Sequence, residues 1–505
     1  MIKKIKPSPF VAHVLLTTAA SLATILANIF VIRFLANGFG AEGFGAYSLA
    51  SRCMAFLVPF STLALCTALP RFISLAGSEH AKREYLLSGF LLGLVPNLLI
   101  LTGGALGSGF LTRLIFHDAR YQILFFMTLF WVAAFSFYSI LDAFYFGIGQ
   151  IRKANFWQIF LGVAGPLLIA LIFSKRGNVE EVVSLFGILY LTSLIPLGFH
   201  LFLAIAAKPA WTVIRSRIQD LWSYALPRFP VRFVLASLFS IGPFLAPRFG
   251  ALQDAGFLMV GQMVFRIAEL GSTAFGRVLL PKAGELFSEG RQDYLNQRIE
   301  DIVIFVFQMG LFVTLQLILW SGPIVLAWLG GPFAEAIPLM QILTLAVAPY
   351  LLFIMLSPIV DAIEEKPVNL KHLLLSFIVA LFSSVVAGKI FSKTGLAFGT
   401  ALGLATPGFL TLFYLWKRCQ ISFQLLKVKE VLLWNLAFLF AGILLKNGLA
   451  VHWEGIRLLG AGMIGEGLLL CLYLFVLWQL HPRWIGELEK RLFIVPREKT
   501  NLVET

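Results

Sequence analysis

The stretch "IFSKRG" at Ile172–Gly177 returns as "IFSKTG" at Ile390–Gly395, with one residue changed in six. Working outward, Asp142-Ala143 recurs as Asp361-Ala362 at nearly the same displacement. Gly45 and Gly256 each stand 25 residues before a proline, Pro70 and Pro281. Those prolines open two similar loops, "PRFISLAGSEHAKREYL" and "PKAGELFSEGRQDYLNQRI". All these matches share a displacement of roughly 210–220 residues, so the chain is read as an internal duplication.

Composition says what is duplicated. The 505 residues are 59% hydrophobic and only 13% charged, about half the charge of a water-soluble domain. The mean hydropathy is +0.87. Apolar runs recur along the whole length, and about 20 residues per crossing gives about fourteen transmembrane helices. The fold class expected is therefore an all-α polytopic membrane protein. About six helices separate the two copies; an even number leaves both in the same orientation, related by a pseudo-two-fold axis along the membrane normal. This divides the chain into an N-lobe over 1–207 (helices 1–6) and a C-lobe over 208–420 (helices 7–12). Residues 421–505 carry helices 13 and 14 and a tail. The linker "KPAWTVIRSRIQDLW" places Trp211, Ile214, Ile218 and Leu221 on one helical face, so it reads either as a helix on the membrane surface or as a solvated loop.

The start "MIKKIKPSPF" is basic and leads into an apolar run to about Leu35, longer than a cleaved signal and read as an uncleaved first span. With the N-terminus in the cytoplasm, roughly 27 basic residues fall inside against about 10 outside, a positive-inside bias that puts both termini in the cytoplasm. The formal charge of +14 is dispersed between apolar runs without a basic stripe, so no nucleic-acid partner is expected. The four cysteines, Cys53, Cys66, Cys419 and Cys471, form no CxxC pair and read as reduced thiols.

Gly38-x-Gly40-x-x-Gly43 has the spacing of a dinucleotide-binding turn. That chemistry needs a preceding strand and an acid about 20 residues on. Here the glycines lie between two apolar helices, and no Asp or Glu occurs between Glu42 and Glu79. They are read as a tight interhelical turn. No HExxH, Walker loop or Cys/His metal spacing is present, so the sequence points to a non-enzyme without cofactor, metal or catalytic residues. Without an ATP site, transport would draw on an ion gradient or on the substrate's own gradient.

The segments "FGAEGFGAYSLASR" and "ALPRFPVRF…DAGFLMVGQMVFRIAEL", with the loop "LPKAGELFSEGRQDYL", resemble polysaccharide flippases. These are the Wzx-type, O-antigen proteins of the multidrug/oligosaccharidyl-lipid/polysaccharide exporter superfamily. The resemblance follows element order over about residues 10–420. It implies a bacterial-type inner (cell) membrane, a lipid-linked oligosaccharide substrate, and a polysaccharide polymerase and glycosyltransferases as candidate partners. It also implies that helices 13 and 14 flank a groove for the lipid tail. Many relatives carry an acid-base dipeptide near the end of helix 7, where this chain has "GPFLAPRF", so no role is carried over to that position.

Ionisable residues near the bilayer centre are costly and are functional candidates by default. Arg52, Arg232, Arg266 and Glu269 are expected to bind substrate. Asp142 and Asp361 are candidate coupling residues. Thr17, Ser21, Thr24 and Asn28 form one polar stripe on helix 1, and Gln262, Arg266, Glu269 and Thr273 form one on helix 8. Gln262, Thr24 and Asn28 join the substrate-binding expectation, the alternative being that such stripes hold helices together. Arginine suits phosphate oxygens because its donors form a planar fork. The expected function is therefore translocation of a polyprenyl-diphosphate-linked oligosaccharide by alternating access. The alternatives are Na⁺- or H⁺-coupled multidrug efflux, which predicts an acid-dominated cavity, lipid II transport for peptidoglycan synthesis, and a scaffold for polysaccharide-assembly enzymes.

Overall fold

The computed structural model describes residues 9–175, 177–266, 268–269, 292–364, 366–419 and 425–480. Among them every element of regular structure is a helix, the arrangement in which an apolar segment satisfies its backbone hydrogen bonds without water. The first lobe comprises α1 (Pro9–Thr62), α2 (Leu65–Leu75), α3 (Glu79–Leu106), α4 (Ser108–Phe116) and α5 (Gln122–Gly147). It continues with α6 (Ile151–Ile159), α7 (Gly165–Phe173), α8 (Val179–Leu191) and α9 (Leu194–Ala206), α6 and α7 being joined by a π turn into one span. After α10 (Trp211–Ala225) come α11 (Phe229–Phe249) and α12 (residues 252–266). The second lobe ends with α13 (Gln292–Leu329), α14 (Ala336–Thr344), α15 (Val347–Ile363) and α16 (Val368–Cys419). The appended pair is α17 (Leu425–Ala450) and α18 (Gly455–Leu480).

Ten of the described helices are long and apolar enough to cross a membrane, or eleven if the pair α14–α15, bent by 44°, is one span. Two of them are double. A straight helix of 52 residues such as α16 would run nearly 80 Å by the rise of about 1.5 Å per residue, far beyond a core of about 30 Å. The break is at Ser392 (φ 54, ψ −130), and the chain turns back there. Cβ atoms built on Gly395, Gly399 and Gly403 would meet Ala387, Ser384 and Ala380, each within 2.3 Å, which is the contact order of an antiparallel hairpin. Small residues at every fourth position let the two backbones close. In α1 the break is at Gly40 (φ 68, ψ −175), a backbone region essentially reserved for glycine. The expected span over 252–276 falls partly outside the described residues, as do Thr273 and the loop around Pro281.

Buried polar groups tie the spans together. The second crossing breaks between α1 and α2, where Leu63 and Ala64 take left-handed φ. The freed carbonyl of Ser61 accepts from Asn97 Nδ2 (3.1 Å) and Ser136 Oγ (3.1 Å), and Asn97 also donates to Ser136 (2.9 Å). The appended pair docks on α13 in the same manner. Trp320 Nε1 donates to Glu466 (2.7 Å), Gln316 Nε2 to the Phe438 carbonyl (3.1 Å), and the Tyr473 hydroxyl to the Gln308 carbonyl (3.2 Å).

The linker over 208–222 forms, from Trp211, a docked helix rather than a loop. Ile214 and Leu221 of α10 are buried against the first lobe. Tyr85 donates to Asp220 (3.0 Å), and Arg217 bonds both the Tyr85 hydroxyl (3.0 Å) and Glu84 (3.4 Å). Its Trp211 and Trp222 stay exposed.

The two lobes meet unequally at their two ends. Around the Gly40 and Ser392 turns one continuous core runs through both, including Phe44, Leu49, Phe257, Leu258 and Phe333. Phe333 packs edge-on against Phe44 (5.7 Å) and Phe257 (5.8 Å). At the other end, which carries Arg71, Arg217 and Arg228, the core divides into two smaller clusters, one around Leu69 and Phe144 that also takes in Leu221 of α10 and Phe229 of α11, and one around Val303 and Leu356. This is the end that the positive-inside bias assigns to the cytoplasm, and we refer to it as the basic end.

Candidate functional site between the two lobes

The repeat seen in sequence is visible in three dimensions. In the first lobe a Cβ on Gly38 would lie 2.2 Å from the Ser174 carbonyl oxygen. In the second, Ser392 Oγ donates to the Phe249 carbonyl at 2.6 Å. Ser174 and Ser392 are the serines of "IFSKRG" and "IFSKTG"; Ser392 bonds the Phe249-Gly250 turn of its lobe, and the Ser174 backbone closes on Gly38 beside Phe39-Gly40. Lys393, next in the second copy, pairs with Asp254 (3.6 Å) and with Glu335. The glycine fingerprint is therefore an interhelical turn that needs glycine for close approach at Gly38 and for backbone conformation at Gly40.

Arg52 lies on the second crossing, about ten residues beyond the break, and is 8% exposed. Its Nε has no hydrogen-bond partner, and the nearest like charge acting on it is Arg266 of α12, whose side chain is exposed. Neither arginine forms an ion pair among the described residues. Glu269, one turn beyond Arg266, accepts instead from the Tyr350 hydroxyl of α15 at 2.5 Å. The result is a pair of guanidinium groups, one from each lobe, with the adjacent carboxylate held by a tyrosine. Such a pair is short of anions in a region where an uncompensated charge is costly.

The other expected site residues are placed elsewhere. Gln262 is 2% exposed, and its amide donates to the Phe239 carbonyl of α11 at 3.0 Å, tying α12 to α11. The stripe on α1 faces the α6–α7 span. Asn155 Nδ2 donates to Thr17 (3.1 Å), Gln158 Nε2 reaches Ser21 (3.4 Å), and Thr24 packs where Gly162 lacks a side chain. Of the four, Asn28 alone is exposed. Arg232 is exposed and donates to Thr67 of α2 at 3.0 Å, near the basic end and several helical turns from Arg52. Asp142 is half-buried on α5, where Tyr138 feels its charge. Asp361 is exposed at the end of α15 and accepts from Asn369 (2.8 Å). Arg52 thus feels the charge of Arg266, which lies one turn from Glu269, whereas Arg232 bonds Thr67 near the basic end and the two aspartates stand on α5 and α15. Tyr350 escaped the sequence reading because nothing in its spacing marks it; only the packing of α15 brings it to Glu269.

The space between α1, α3, α5 and α11 is apolar. A cavity of about 480 Å³ is lined by Cys53, Phe56 and Leu57 of α1, Ile100 of α3, Leu129 of α5 and Phe244 of α11, with His117 and Arg248 at its rim.

No family model matches the sequence, and no curated protein matches it. Solved structures do. The chain is similar to the lipid II flippase MurJ in an inward closed conformation, with a TM-score of 0.70, 14% identity, and coverage of 94% of this chain and 100% of that one. It is also similar to an inward-facing multidrug resistance MATE family transporter of the MOP superfamily, with a TM-score of 0.67, 13% identity, and coverage of 80% and 98%. A eukaryotic MATE transporter, AtDTX14, matches with a TM-score of 0.56, 11% identity, and coverage of 84% and 98%. At these identities the likeness is one of fold. The chain shares the all-helical fold of these transporter structures.

Proposed function

We propose that the protein is a flippase that moves a polyprenyl-diphosphate-linked oligosaccharide across the cytoplasmic membrane by alternating access of its two lobes. The observation that carries this reading is the buried Arg52, which feels the charge of Arg266 on α12, neither of them in an ion pair among the described residues. Two guanidinium forks suit the oxygens of a diphosphate. A cationic drug would be repelled there, which argues against multidrug efflux. The large core shared by both lobes at one end and the smaller, divided clusters at the other are consistent with a transporter whose lobes part at the basic end. Asp142 and Asp361 remain candidates for coupling to an ion gradient.

Lipid II translocation is the second reading, and one observation favours it. The match to MurJ covers 94% of the chain, too much to leave out α17 and α18, whereas the MATE matches cover 80% and 84%. In both readings the helix pair would border the path of the lipid tail, and polysaccharide-assembly enzymes are the partners proposed. The test is translocation in liposomes by the purified full-length chain, comparing lipid-linked oligosaccharides, lipid II and cationic drugs. Transport of drugs and of neither lipid would overturn the proposal.

A further inference from the structure

The basic end carries a cluster that the central arginine pair does not explain. Arg71 of α2 and Arg228, preceding α11, stack on the same ring, that of Tyr224 at the end of α10. Their guanidinium carbons lie 4.6 Å and 3.6 Å from its centroid, so their separation cannot exceed the sum of those distances. Arg71 Nη1 also donates to the Tyr224 hydroxyl (3.1 Å), and Arg228 Nη1 to the Tyr224 carbonyl (2.9 Å). One turn along each helix, Arg232 donates to Thr67 (3.0 Å). Two guanidinium groups thus gather about one tyrosine with a third one helical turn along, each spending one hydrogen bond of the five that the fork can donate.

None of the three forms an ion pair among the described residues. Asp361 feels the charge of Arg228 without pairing with it. Arg217 on α10 is the contrast: it is engaged by Glu84 and Tyr85 and serves to dock the helix. On the exposed side of α10, Trp211, Arg215 and Trp222 share one face. Indole rings of this kind settle at the headgroup level of a membrane, which puts the arginine cluster at the depth of lipid phosphates.

We infer that Arg71, Arg228 and Arg232 form a loading site for the diphosphate headgroup of the lipid-linked cargo, occupied before the cargo reaches Arg52 and Arg266. Stacking on Tyr224 fixes two of the forks in advance, and a diphosphate supplies acceptors to their remaining donors. Because the site is built from both lobes, an anion there bears on how they part at the basic end. The inference rests on the flippase reading and names where that substrate first binds.

The experiment uses the full-length chain in detergent, carrying Arg52→Ala so that the central pair does not contribute, titrated calorimetrically with farnesyl diphosphate. Binding is expected to persist in this background and to weaken about tenfold or more when Arg71→Gln and Arg228→Gln are added, as expected for lost charge-assisted hydrogen bonds. Arg71→Lys with Arg228→Lys should retain part of the affinity, and an unchanged melting temperature of that pair separates lost binding from lost folding. Loss of binding on Arg52→Ala alone, or binding indifferent to the two glutamines, overturns the loading site. So does phosphatidylglycerol binding as tightly as farnesyl diphosphate and with the same dependence on these arginines, which would assign the cluster to bulk lipid. The flippase reading fails on a different result, absence of lipid-linked saccharide transport by the wild-type chain in liposomes.

Discussion

Gly45 and Gly256, equivalent positions of the sequence repeat, pack against each other across the two lobes. A Cβ on Gly256 would lie 3.3 Å from the Gly45 nitrogen and 2.9 Å from the Phe44 ring, and one on Gly45 would lie 2.3 Å from the Leu252 carbonyl oxygen. The duplicated halves therefore touch through their own duplicated glycines, backbone to backbone. Gly45→Leu should force the lobes apart, costing on the order of 1–3 kcal/mol of overpacking. A lowered melting temperature together with slowed translocation is expected; a variant with wild-type values for both would show that the contact is dispensable.

Arg52→Ala should abolish translocation of a lipid-linked oligosaccharide in liposomes while membrane insertion and the melting temperature are kept or raised. Removing a buried, unpaired charge relieves desolvation, so stability is not the route by which activity is lost. Arg52→Lys keeps the charge but loses the fork and should be impaired. Full transport by the alanine variant would contradict the role assigned to Arg52.

Tyr350→Phe removes the donor to Glu269 and should cost about 1.5–3 kcal/mol, the range for hydrogen bonds to charged groups. A double-mutant cycle with Glu269→Gln reads the coupling from thermal unfolding. Additive losses would mean that the 2.5 Å contact holds nothing in place.

Asn155→Leu breaks the bond to Thr17 and should lower the melting temperature, at a cost of about 1 kcal/mol, with transport per folded molecule unchanged. The expectation follows from the α1 stripe being a seam with the α6–α7 span. Loss of transport at unchanged stability would return Thr17 and its neighbours to the substrate path.

Glu466→Ala leaves the indole N–H of Trp320 without its acceptor, a loss of about 1–3 kcal/mol. The effect should fall on the docking of α17 and α18, read as faster proteolysis after the second lobe with the two lobes intact. Uniform cleavage throughout the chain would place the damage elsewhere.

The sequence by itself determined the helical membrane fold, because 59% apolar residues in long runs have few other ways to satisfy a backbone in lipid. It also carried the repeat "IFSKRG" and "IFSKTG", both copies of which lie beside a Phe-Gly turn. The glycine pattern was legible as a turn because its spacing lacked the acid that a cofactor needs. Which polar residues share a site was decided only by tertiary structure. Periodicity gives the face of a helix but not the neighbour that face meets, so the stripe on α1 left cavity wall and helix seam both open, and packing sets Thr17, Ser21 and Thr24 against the α6–α7 span. Arg52, Arg232 and Arg266 looked alike in sequence; position along the crossing separates them, and it places Arg232 on Thr67, one turn from the Arg71 and Arg228 that stack on Tyr224. Contacts between lobes join residues far apart in the chain, as Tyr224 with Arg71 or Gly256 with Gly45, and no local pattern encodes them.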